Sequence, residues 1–550
     1  MNSERMKKIL GASLGECAHV AGTTAFLNLA KQQGYKTIFL GPAIPINSLV
    51  NAIKRENPDI VAVSYRLTPA TAKPLLKRFI NTIKKANLHK GRKYIFGGTE
   101  PVADIAKQLK FFNAIFGGKD STDDVIAFLQ GRKPKSELEA DYPQRLVERI
   151  EKRKPFPIIR HHFGLPTVEA TIKGVREIAE ARVLDIISLG SDQDAQENFF
   201  HPERQDESRR GAGGVPVRTE DDFWAIYSAS RCGNYPLMRC YAGTDDLIKL
   251  AEMYVKTINL CFGAIPIFWF NVLDNRGPMA LEESIRVHQE TIRWHAERDI
   301  PVEVNEPHQW SLRGAPDQIY VATAYLSAYI AKKLSVKDYI AQYMFNTPAG
   351  VSFKMDLAKM LACIDLVEEL QNEDFIVHRE TRAGLLSYPV DVDMAKGQLA
   401  SSVMLQMALK PQILHVVAYC EADHAAFPSD IIESCKIARK VVENAIYGMP
   451  DMTVDPEVLK RKEELKKGAK LLIEAIRNLD SDTSGDPLLD PKNLANAVRM
   501  GFLDAPELTP TENSKGAIVT SIIDGACYAV NPETEEIISE EERLDTLQGT

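Results

Sequence analysis

Three loops in the N-terminal part of the chain carry side chains that suit ligand binding, and each loop follows a short apolar run. The first loop contains His19 and Gly22, the second Ser64, and the third the pair Gly97 and Gly98. A histidine on a loop that folds away from a sheet can coordinate a metal. Serine and glycine are small enough to leave a slot open beside such a ligand. By themselves these residue types do not distinguish a ligand site from an ordinary loop histidine.

The spacing of the loops is the more specific signal. Between Gly22 and Ser64 lie 41 positions, and between Arg66 and Gly97 lie 30. The arrangement resembles the cobalamin-binding domain of B12-dependent mutases and methyltransferases, whose pattern is Asp-x-His-x-x-Gly, Ser-x-Leu and Gly-Gly at similar intervals. The alternative interpretation is a flavodoxin-like domain with an ordinary loop histidine.

The resemblance implies that cobalamin is the cofactor, with adenosylcobalamin favoured and methylcobalamin as the alternative. It implies that His19 is the lower axial ligand of the cobalt and that Ser64 contacts the displaced nucleotide tail. The glycines would let the backbone approach that tail. The predicted cofactor-binding set is His19, Gly22, Ser64, Arg66, Thr68, Gly97 and Gly98.

Two positions depart from the family pattern. The family has an aspartate two residues before the histidine, where it accepts the second ring proton. Cys17 stands there in this chain, so either Cys17 or Glu16 takes that role. Arg66 stands where leucine is usual. Its guanidinium either pairs with a cofactor phosphate or is a solvated loop arginine.

Apolar runs alternate with helical stretches through this part of the chain, from KKILGAS to KYIFGG. The runs are β-branched and too apolar for half-exposed strands, which predicts a parallel sheet wrapped by helices. Ligands bind at the carboxyl ends of such strands, where the three loops lie. We therefore predict a flavodoxin-like (Rossmann-like) α/β domain over residues 1–135, followed by a charged linker over residues 136–154.

Eight further apolar runs, each followed by an amphipathic helix, predict a (β/α)8 TIM barrel over residues 155–450. The runs are 156–163, 183–190, 235–241, 265–271, 301–305, 338–345, 375–380 and 412–419. In such a barrel, function lies at the C-terminal ends of the strands. Residues 451–550 are predicted to form a small α+β region with a charged, solvated helix over residues 456–478.

The predicted strand ends are rich in arginine, which suits a carboxylate substrate unless each arginine pairs with a neighbouring glutamate. The barrel resembles the catalytic subunit of glutamate mutase (methylaspartate mutase) through the segments 211–215, 236–245, 281–283 and 304–307. The resemblance implies that Arg160 and Arg239 bind a carboxylate and that Glu306 faces the cofactor. His308 and His424 are further candidates, for proton transfer or substrate hydrogen bonding.

Two residues of that family are missing here. Phe270 and Asn271 occupy the strand end where the family has the glutamate that contacts the substrate amino group. The acidic stretch 192–197 replaces an arginine that is expected after the second strand. We therefore expect a small carboxylate-bearing or thioester substrate other than glutamate.

The favoured hypothesis is an adenosylcobalamin-dependent radical isomerase (mutase), in which the cofactor supplies the radical while the protein binds and shields the substrate. A corrinoid-dependent methyltransferase and a non-catalytic cobalamin carrier or sensor are the alternatives. The methyltransferase is disfavoured because the loop motif begins almost at the N-terminus, without the helical cap domain that those proteins commonly place before it.

Composition argues against several other classes of protein. The net charge of −8 over 550 residues provides no basic patch, which disfavours nucleic acid as a partner. Eight cysteines without a Cys-x-x-Cys pair favour reduced thiols over disulfides or a structural zinc. No segment has the pattern of a signal peptide or a membrane span. We expect a cytoplasmic homodimer.

Overall fold

The computed structural model describes residues 6–118, 120, 122–131, 139, 142–479 and 485–549. The chain divides into two compact units, unit 1 (Met1–Leu138) and unit 2 (Glu139–Thr550). All eight cysteines are free thiols. Within the described ranges, every helix is too short or too polar to cross a lipid bilayer.

Unit 1 is a five-stranded parallel sheet with helices around it. Its strands are β1 (Lys8–Ser13), β2 (Lys36–Phe39), β3 (Ile60–Tyr65), β4 (Lys93–Gly98) and β5 (Ala114–Phe116). Its helices are α1 (Ala21–Gln32), α2 (Ile46–Glu56), α3 (Pro69–Lys85), α4 (Glu100–Gln108) and α5 (Thr122–Leu129). The strand order β2-β1-β3-β4-β5 is that of the flavodoxin-like fold, and this confirms the predicted α/β class.

Both faces of this sheet are buried, which explains its continuous apolar strands. Neighbouring residues on a strand point to opposite faces. Ile9 and Ile60 accordingly pack in one hydrophobic cluster, while Leu10 and Val61 pack in another. The chain order reverses between β1 and β3, so the loops after these strands border the crevice where such folds bind ligands.

Unit 2 begins with a nearly closed parallel barrel, which confirms the predicted barrel architecture. Its strands are β6 (Ile158–Phe163), β7 (Ile186–Leu189), β8 (Leu237–Cys240), β9 (Gly263–Ala264), β10 (Val302–Glu303), β11 (Asp338–Phe345), β12 (Ile376–Ala383) and β13 (Ile413–His415). Ladders join neighbouring strands from β8 through β7, β6, β13, β12, β11 and β10 to β9. Between β8 and β9 the described residues form no ladder, and the N–H of Cys261 donates to the Met238 carbonyl across the gap.

Eleven helices surround or connect the barrel strands in the described part of unit 2. They are α6 (Leu146–Arg153), α7 (Val168–Ala181), α8 (Gln193–Glu197), α9 (Glu220–Ala229), α10 (Leu247–Ile258), α11 (Leu281–Ala296), α12 (Pro307–Leu312), α13 (Asp317–Lys333), α14 (Phe353–Glu368), α15 (Val392–Gln406) and α16 (Pro428–Tyr447). Helix α6 lies within the predicted linker 136–154. Its Leu146 and Ile150 belong to the same buried cluster as Ile158 and Ile186 of the barrel strands.

Two predicted strands differ from the structure. The prediction of a fourth strand at 265–271 is wrong, because β9 is Gly263–Ala264 and the following apolar residues form an irregular buried segment. The seventh strand was predicted to end at Glu380, but β12 continues to Ala383. This extension adds Arg382 to the residues at the C-terminal end of the barrel.

The interior of the barrel is layered. Ile158, Ile186, Leu237, Ile340 and Ile413 form one apolar cluster, while their chain neighbours pack outward against the helices. Side chains alternate along a strand, so the residues two positions further along point into the barrel again. Those positions hold polar and charged side chains, namely Arg160, Ser188, Arg239, Gln342 and His415.

The C-terminal region has α17 (Pro456–Arg477), α18 (Pro491–Arg499), β14 (Thr520–Ile523), β15 (Ala526–Ala529) and α19 (Glu540–Gln548). Strands β14 and β15 form an antiparallel hairpin, as the α+β prediction requires. The prediction that α17 is a solvated helix is only half right. Its Leu465, Leu472 and Ile476 are buried where it packs against α13 and α14.

Candidate functional site

The loop after β1 exposes His19 and buries Cys17. The Cys17 sulfur lies 3.8 Å from Nδ1 of His19 and accepts the backbone N–H of Arg66 at 3.3 Å. When Nδ1–H donates to the sulfur, the ring lone pair lies on Nε2. Nε2 has no hydrogen-bond partner among the described residues. The loop therefore presents an imidazole nitrogen that can coordinate a metal.

A chain of three hydroxyl groups runs beside this loop. Thr23 donates to Ser64 at 2.7 Å, Ser64 donates to Ser13 at 3.2 Å, and Ser13 donates to the His19 carbonyl at 3.1 Å. This series of hydrogen bonds links the ends of β1 and β3 to the start of α1. Sequence reasoning found Ser64 but missed Ser13 and Thr23, although the position of Thr23 next to Gly22 was a usable signal.

The predicted glycines differ in their surroundings. A Cβ atom on Gly22 would have no atom within 4 Å, and one on Gly97 would lie 4.0 Å from Cβ of Ser64. A Cβ atom on Gly98 would lie 2.8 Å from the carbonyl oxygen of Tyr65, too close for any other residue. Gly22 and Gly97 therefore border open space, whereas Gly98 is required by strand packing.

The other two predicted cofactor residues lie on the surface after β3. Arg66 and Thr68 are both exposed. The Thr68 hydroxyl oxygen accepts the N–H of Thr71 at 3.3 Å, which caps helix α3. Thr68 thus has a structural role at the start of α3.

Arg160 lies in the barrel interior between two buried carboxylates. It donates to Glu303 at 2.6 Å and to Glu380 at 2.5 Å, and its Nε donates to Ser188 at 2.8 Å. The amide of Gln342 donates to both carboxylates as well, at 2.7 and 2.9 Å. Burial lowers the pKa of Arg160, but the two carboxylates outweigh burial and raise it overall. Its Nε and Nη1 groups are therefore already engaged by Ser188 and the two carboxylates.

Arg239 and Arg382 complete this interior cluster without a carboxylate partner in the described part of the chain. Arg239 donates to Ser188 and to the Cys240 carbonyl, and the Nε of Arg382 is buried without a hydrogen bond. Burial, and then the charge of Arg160, lowers the pKa of both guanidinium groups. Glu303 and Glu380 both pair with Arg160, so Arg239 and Arg382 form no ion pair within the cluster. Burial raises the pKa of the nearby Glu421, and the charge of Arg382 partly opposes this shift.

His162 and Tyr241 form a hydrogen-bonded pair next to these arginines. Nε2 of His162 lies 3.2 Å from Arg239 and 3.4 Å from Arg160, and both arginines can only donate. Nε2 must therefore accept, so the proton is on Nδ1 and is donated to the Tyr241 oxygen, 2.7 Å away. Burial, and then electrostatic repulsion from the neighbouring His415 and Arg239, holds the pKa of His162 well below its usual value. The Tyr241 O–H remains free to donate to another group.

Several buried polar atoms around the cluster have no hydrogen bond among the described residues. They are Nδ1 of His308, Oδ1 of Asn305 and Nδ1 of His415. Burial, and then the charge of Arg382, keeps the pKa of His308 well below its usual value, so this imidazole is neutral. Buried polar atoms without partners are rare in native structures, so these three are candidates for contact with a bound ligand.

Glu306 holds the segment that follows β9. Its carboxylate accepts the N–H groups of Ile267 and Phe268 at 2.8 and 3.2 Å and the indole N–H of Trp310 at 2.8 Å. Burial raises the pKa of Glu306 to about 7. The side-chain amide of Asn271 on the same segment also has hydrogen-bond partners, since it donates to the Phe268 carbonyl and the Ser284 hydroxyl and accepts the N–H of Leu273.

The acidic stretch 192–197 is neutralised by neighbouring arginines. Asp192 accepts two hydrogen bonds from Arg218, both at 2.8 Å. Asp194 accepts from Arg209 at 2.6 Å. These carboxylates fix the long loop between β7 and β8.

Comparison with known proteins bears mainly on unit 1. Residues 7–127 match the family model of the B12 binding domain. Unit 1 contains a B12-binding domain. No curated protein matches the sequence.

Three solved structures are similar to parts of the chain. A cobalamin-binding protein from Desulfitobacterium hafniense DCB-2 is 24% identical over 22% of this chain, with a TM-score of 0.20. The chain spans 58% of the length of that protein. A 2,3-dimethylmalate lyase is 11% identical over 60% of this chain and 97% of its own, with a TM-score of 0.29. The cobalamin-dependent S-adenosylmethionine radical enzyme OxsB is 11% identical over 80% of this chain and 56% of its own, with a TM-score of 0.18.

The residues of the B12-binding domain fit a cobalamin. The exposed imidazole of His19 offers Nε2 as a ligand for cobalt, and the open space at Gly22 and Gly97 leaves room for a bulky group beside it. The hydroxyl groups of Thr23 and Ser64 lie next to that space and can hydrogen bond polar atoms of the cofactor. These residues support cobalamin binding by the domain.

Proposed function

We propose that the protein is an adenosylcobalamin-dependent isomerase that rearranges a small carboxylate-bearing substrate, other than glutamate, in the barrel. The observation that carries this proposal is a pair of guanidinium groups, those of the buried Arg239 and the half-buried Arg382, which form no ion pair with a described carboxylate. A substrate carboxylate would give these groups an ion-pair partner, and guanidinium groups match a carboxylate with two parallel hydrogen bonds.

The neighbouring side chains suit the rest of such a substrate. The Tyr241 O–H can donate to a substrate oxygen because His162 donates to the Tyr241 oxygen rather than accepting from it. Neutral His308 and the amide of Asn305 offer further polar atoms that need partners. Arg160 and Glu306, which the sequence suggested for direct roles, act in this proposal as positioning residues through their existing hydrogen bonds.

Adenosylcobalamin, when bound, supplies a carbon-centred radical by homolysis of its cobalt–carbon bond. His19 would hold the cobalt, while the hydroxyl chain and the glycines would accommodate the nucleotide tail. The barrel residues would bind the substrate in a buried and preorganised polar environment, which limits side reactions with water.

The test is an assay of the full chain with adenosylcobalamin and a panel of small carboxylic acids and thioesters. We expect a rearranged product by mass spectrometry, together with cob(II)alamin and an organic radical by electron paramagnetic resonance. Arg382→Met should raise KM for the carboxylate about tenfold or more, since a hydrogen bond to a charged group is worth roughly 1.5–3 kcal/mol.

Arg379→Met is the matched control for Arg382. Arg379 is on the same strand but on the outer face, where it pairs with Glu368 at 2.6 Å. Equal KM values for the two variants would count against the substrate site. Transfer of the methyl group of methylcobalamin to an added thiol or amine, without any rearrangement, would replace the isomerase by a methyltransferase.

A further inference from the structure

A turn after β13 brings three metal-binding side chains together at the C-terminal end of the barrel. The N–H of His424 donates to the Cys420 carbonyl at 2.9 Å, which places the two side chains close together. Asp430 is in the first turn of α16. One ligand atom from each of Cys420, His424 and Asp430 lies within 4.8 Å of the other two.

The imidazole of His424 is oriented by a fourth residue. Its Nδ1 lies 2.6 Å from a carboxylate oxygen of Asp423, to which it donates its proton. Its Nε2 lies 3.4 Å from Oδ2 of Asp430. A proton on Nε2 lets His424 donate to Asp430 as well, and a metal ion bound at Nε2 would take the place of that proton between the two atoms. A carboxylate that orients a histidine in this way is the usual outer partner of a metal-bound imidazole.

Asp430 is itself held in place by neighbours. Its Oδ1 accepts the Tyr419 O–H at 3.2 Å, and its Oδ2 accepts the N–H of Phe427 at 2.9 Å. Cys420 is fully buried, whereas the side chain of His424 is 38% exposed. An ion can therefore enter from the solvent side and meet a preformed set of donors.

From this arrangement we propose that Cys420, His424 and Asp430 bind a zinc ion. Thiolate, imidazole and carboxylate form a donor set typical of Zn²⁺, which prefers four tetrahedral ligands. Three protein ligands leave one position for water. Binding would release the thiol proton of Cys420, and any proton on Nε2 of His424, to solvent, so that the thiolate and the carboxylate together balance the charge of the ion.

A second group of similar composition lacks these features. In the group of His201, Asp245 and Asp246, a lysine already provides the cation, since Lys249 lies 2.5 Å from Asp246. That group also contains no thiol. It serves as the control for the proposed site.

The experiment measures zinc binding by the full chain after removal of metals with a chelator. Competition with a chromophoric chelator should give one tightly bound Zn²⁺, and Cd²⁺ should produce a thiolate-to-metal charge-transfer band in the ultraviolet. Cys420→Ser should abolish the band, and His424→Gln, at an exposed position, should weaken zinc binding without affecting the fold. Asp423→Asn should weaken it about ten- to a hundredfold. His201→Gln should leave it unchanged.

Circular dichroism of each variant separates loss of the site from loss of the fold. Equal zinc affinity in wild type and His424→Gln, or a charge-transfer band that persists in Cys420→Ser, would overturn the proposal. Zinc loss in His201→Gln alone would move the site to the other group. Failure of the isomerase assay would leave this result intact, because zinc binding is measured without cobalamin or substrate.

Discussion

The side chain that orients His19 is a thiol, and this sets the strength of the proposed cobalt ligand. Sulfur is a weaker hydrogen-bond acceptor than a carboxylate oxygen. Nδ1–H of His19 is therefore polarised less by Cys17 than it would be by aspartate, and the imidazole is a weaker donor to a metal. The exposed Glu16 makes no hydrogen bond to His19 among the described residues.

We predict that Cys17→Ala weakens cobalamin binding about tenfold or more, because outer partners of metal-bound histidines contribute on that scale. Cys17→Asp should strengthen histidine coordination, and Glu16→Gln should have no effect. The measurement is the absorbance of the base-off, histidine-on form during titration with adenosylcobalamin, with His19→Ala as the negative control. A loss of binding in Glu16→Gln instead would assign the orienting role to Glu16.

Glu306 is predicted to make stability depend on pH. Its pKa is raised from 4.5 to about 7 in the folded protein by burial. At pH values between these two pKa values the folded state binds more protons than the unfolded state. The contribution of Glu306 to the free energy of unfolding is therefore present at low pH and is lost as pH rises. The shift corresponds to roughly 3 kcal/mol.

Glu306→Gln removes this titration. Relative to wild type, the variant should therefore gain stability between about pH 5 and pH 8, by up to roughly 3 kcal/mol. Urea unfolding of both proteins at several pH values, followed by the fluorescence of the adjacent Trp269 and Trp310, measures this difference in the free energy of unfolding. A constant difference between the two proteins across this range would contradict the prediction.

At the scale of the secondary-structure elements, strand β4 ends in two glycines with different functions. Gly97→Ala should preserve the fold and weaken cobalamin binding, because its Cβ atom would enter open space beside Ser64. Gly98→Ala should instead destabilise unit 1, because its Cβ atom would meet the Tyr65 carbonyl oxygen. Thermal unfolding and cobalamin titration of both variants provide the comparison, and identical behaviour of the two would contradict it.

The strands that the sequence failed to place show what apolar patterns do not encode. Residues 265–271 are almost continuously apolar, as in a buried strand, but they form a loop that Glu306 holds through backbone N–H groups. Burial was foreseeable there, whereas the conformation depends on a carboxylate 39 residues away in sequence. Apolar runs alone do not distinguish these cases.

The candidate sites were predictable to different degrees for a related reason. His19, Ser64 and the glycines follow a fixed local pattern, so the sequence alone was enough to propose them. Arg382 depends on the length of β12, and the alternation of His378, Glu380 and Arg382 on one strand face was the overlooked signal. The partners of Arg160 come from β10 and β12, which no local pattern brings together. The Cys-x-x-x-His spacing at Cys420 differs from the Cys-x-x-Cys spacing of common zinc motifs, so the sequence alone did not indicate this group.

Across the whole of unit 2, a buried ion network connects the C-terminal region to the barrel helices. Lys359 of α14 lies 3.0 Å from Asp356 and 3.3 Å from Asp317 of α13. Asp317 also pairs with Arg461 of α17 at 3.2 Å and accepts the N–H of Cys527 in β15. One aspartate thus links three helices and the C-terminal hairpin, which helps explain why the charged helix α17 is not simply solvated.

Lys359→Met should destabilise unit 2 by about 3–5 kcal/mol, because it leaves the buried Asp356 without its cation and removes one of the two cations beside Asp317. The matched control is Lys466→Met on α17, whose ion pair with Asp365 lies near the surface and is expected to contribute less than about 1 kcal/mol. Chemical denaturation of both variants measures the difference. Similar losses for the two would show that the buried network is not the stabilising link.

The single backbone hydrogen bond between β8 and β9 has a consequence for access to the barrel interior. Strands β8 and β9 share the fewest backbone hydrogen bonds among the described barrel strands, so we expect the barrel to open locally most easily between them. Deuterium should therefore replace the amide proton of Cys261 well before the amide protons between β11 and β12, where eight residue pairs are in register. Arg239 is on β8, at the border of this seam. Transient parting of the two strands would therefore hydrate that guanidinium from the side, independently of the route by which a substrate enters.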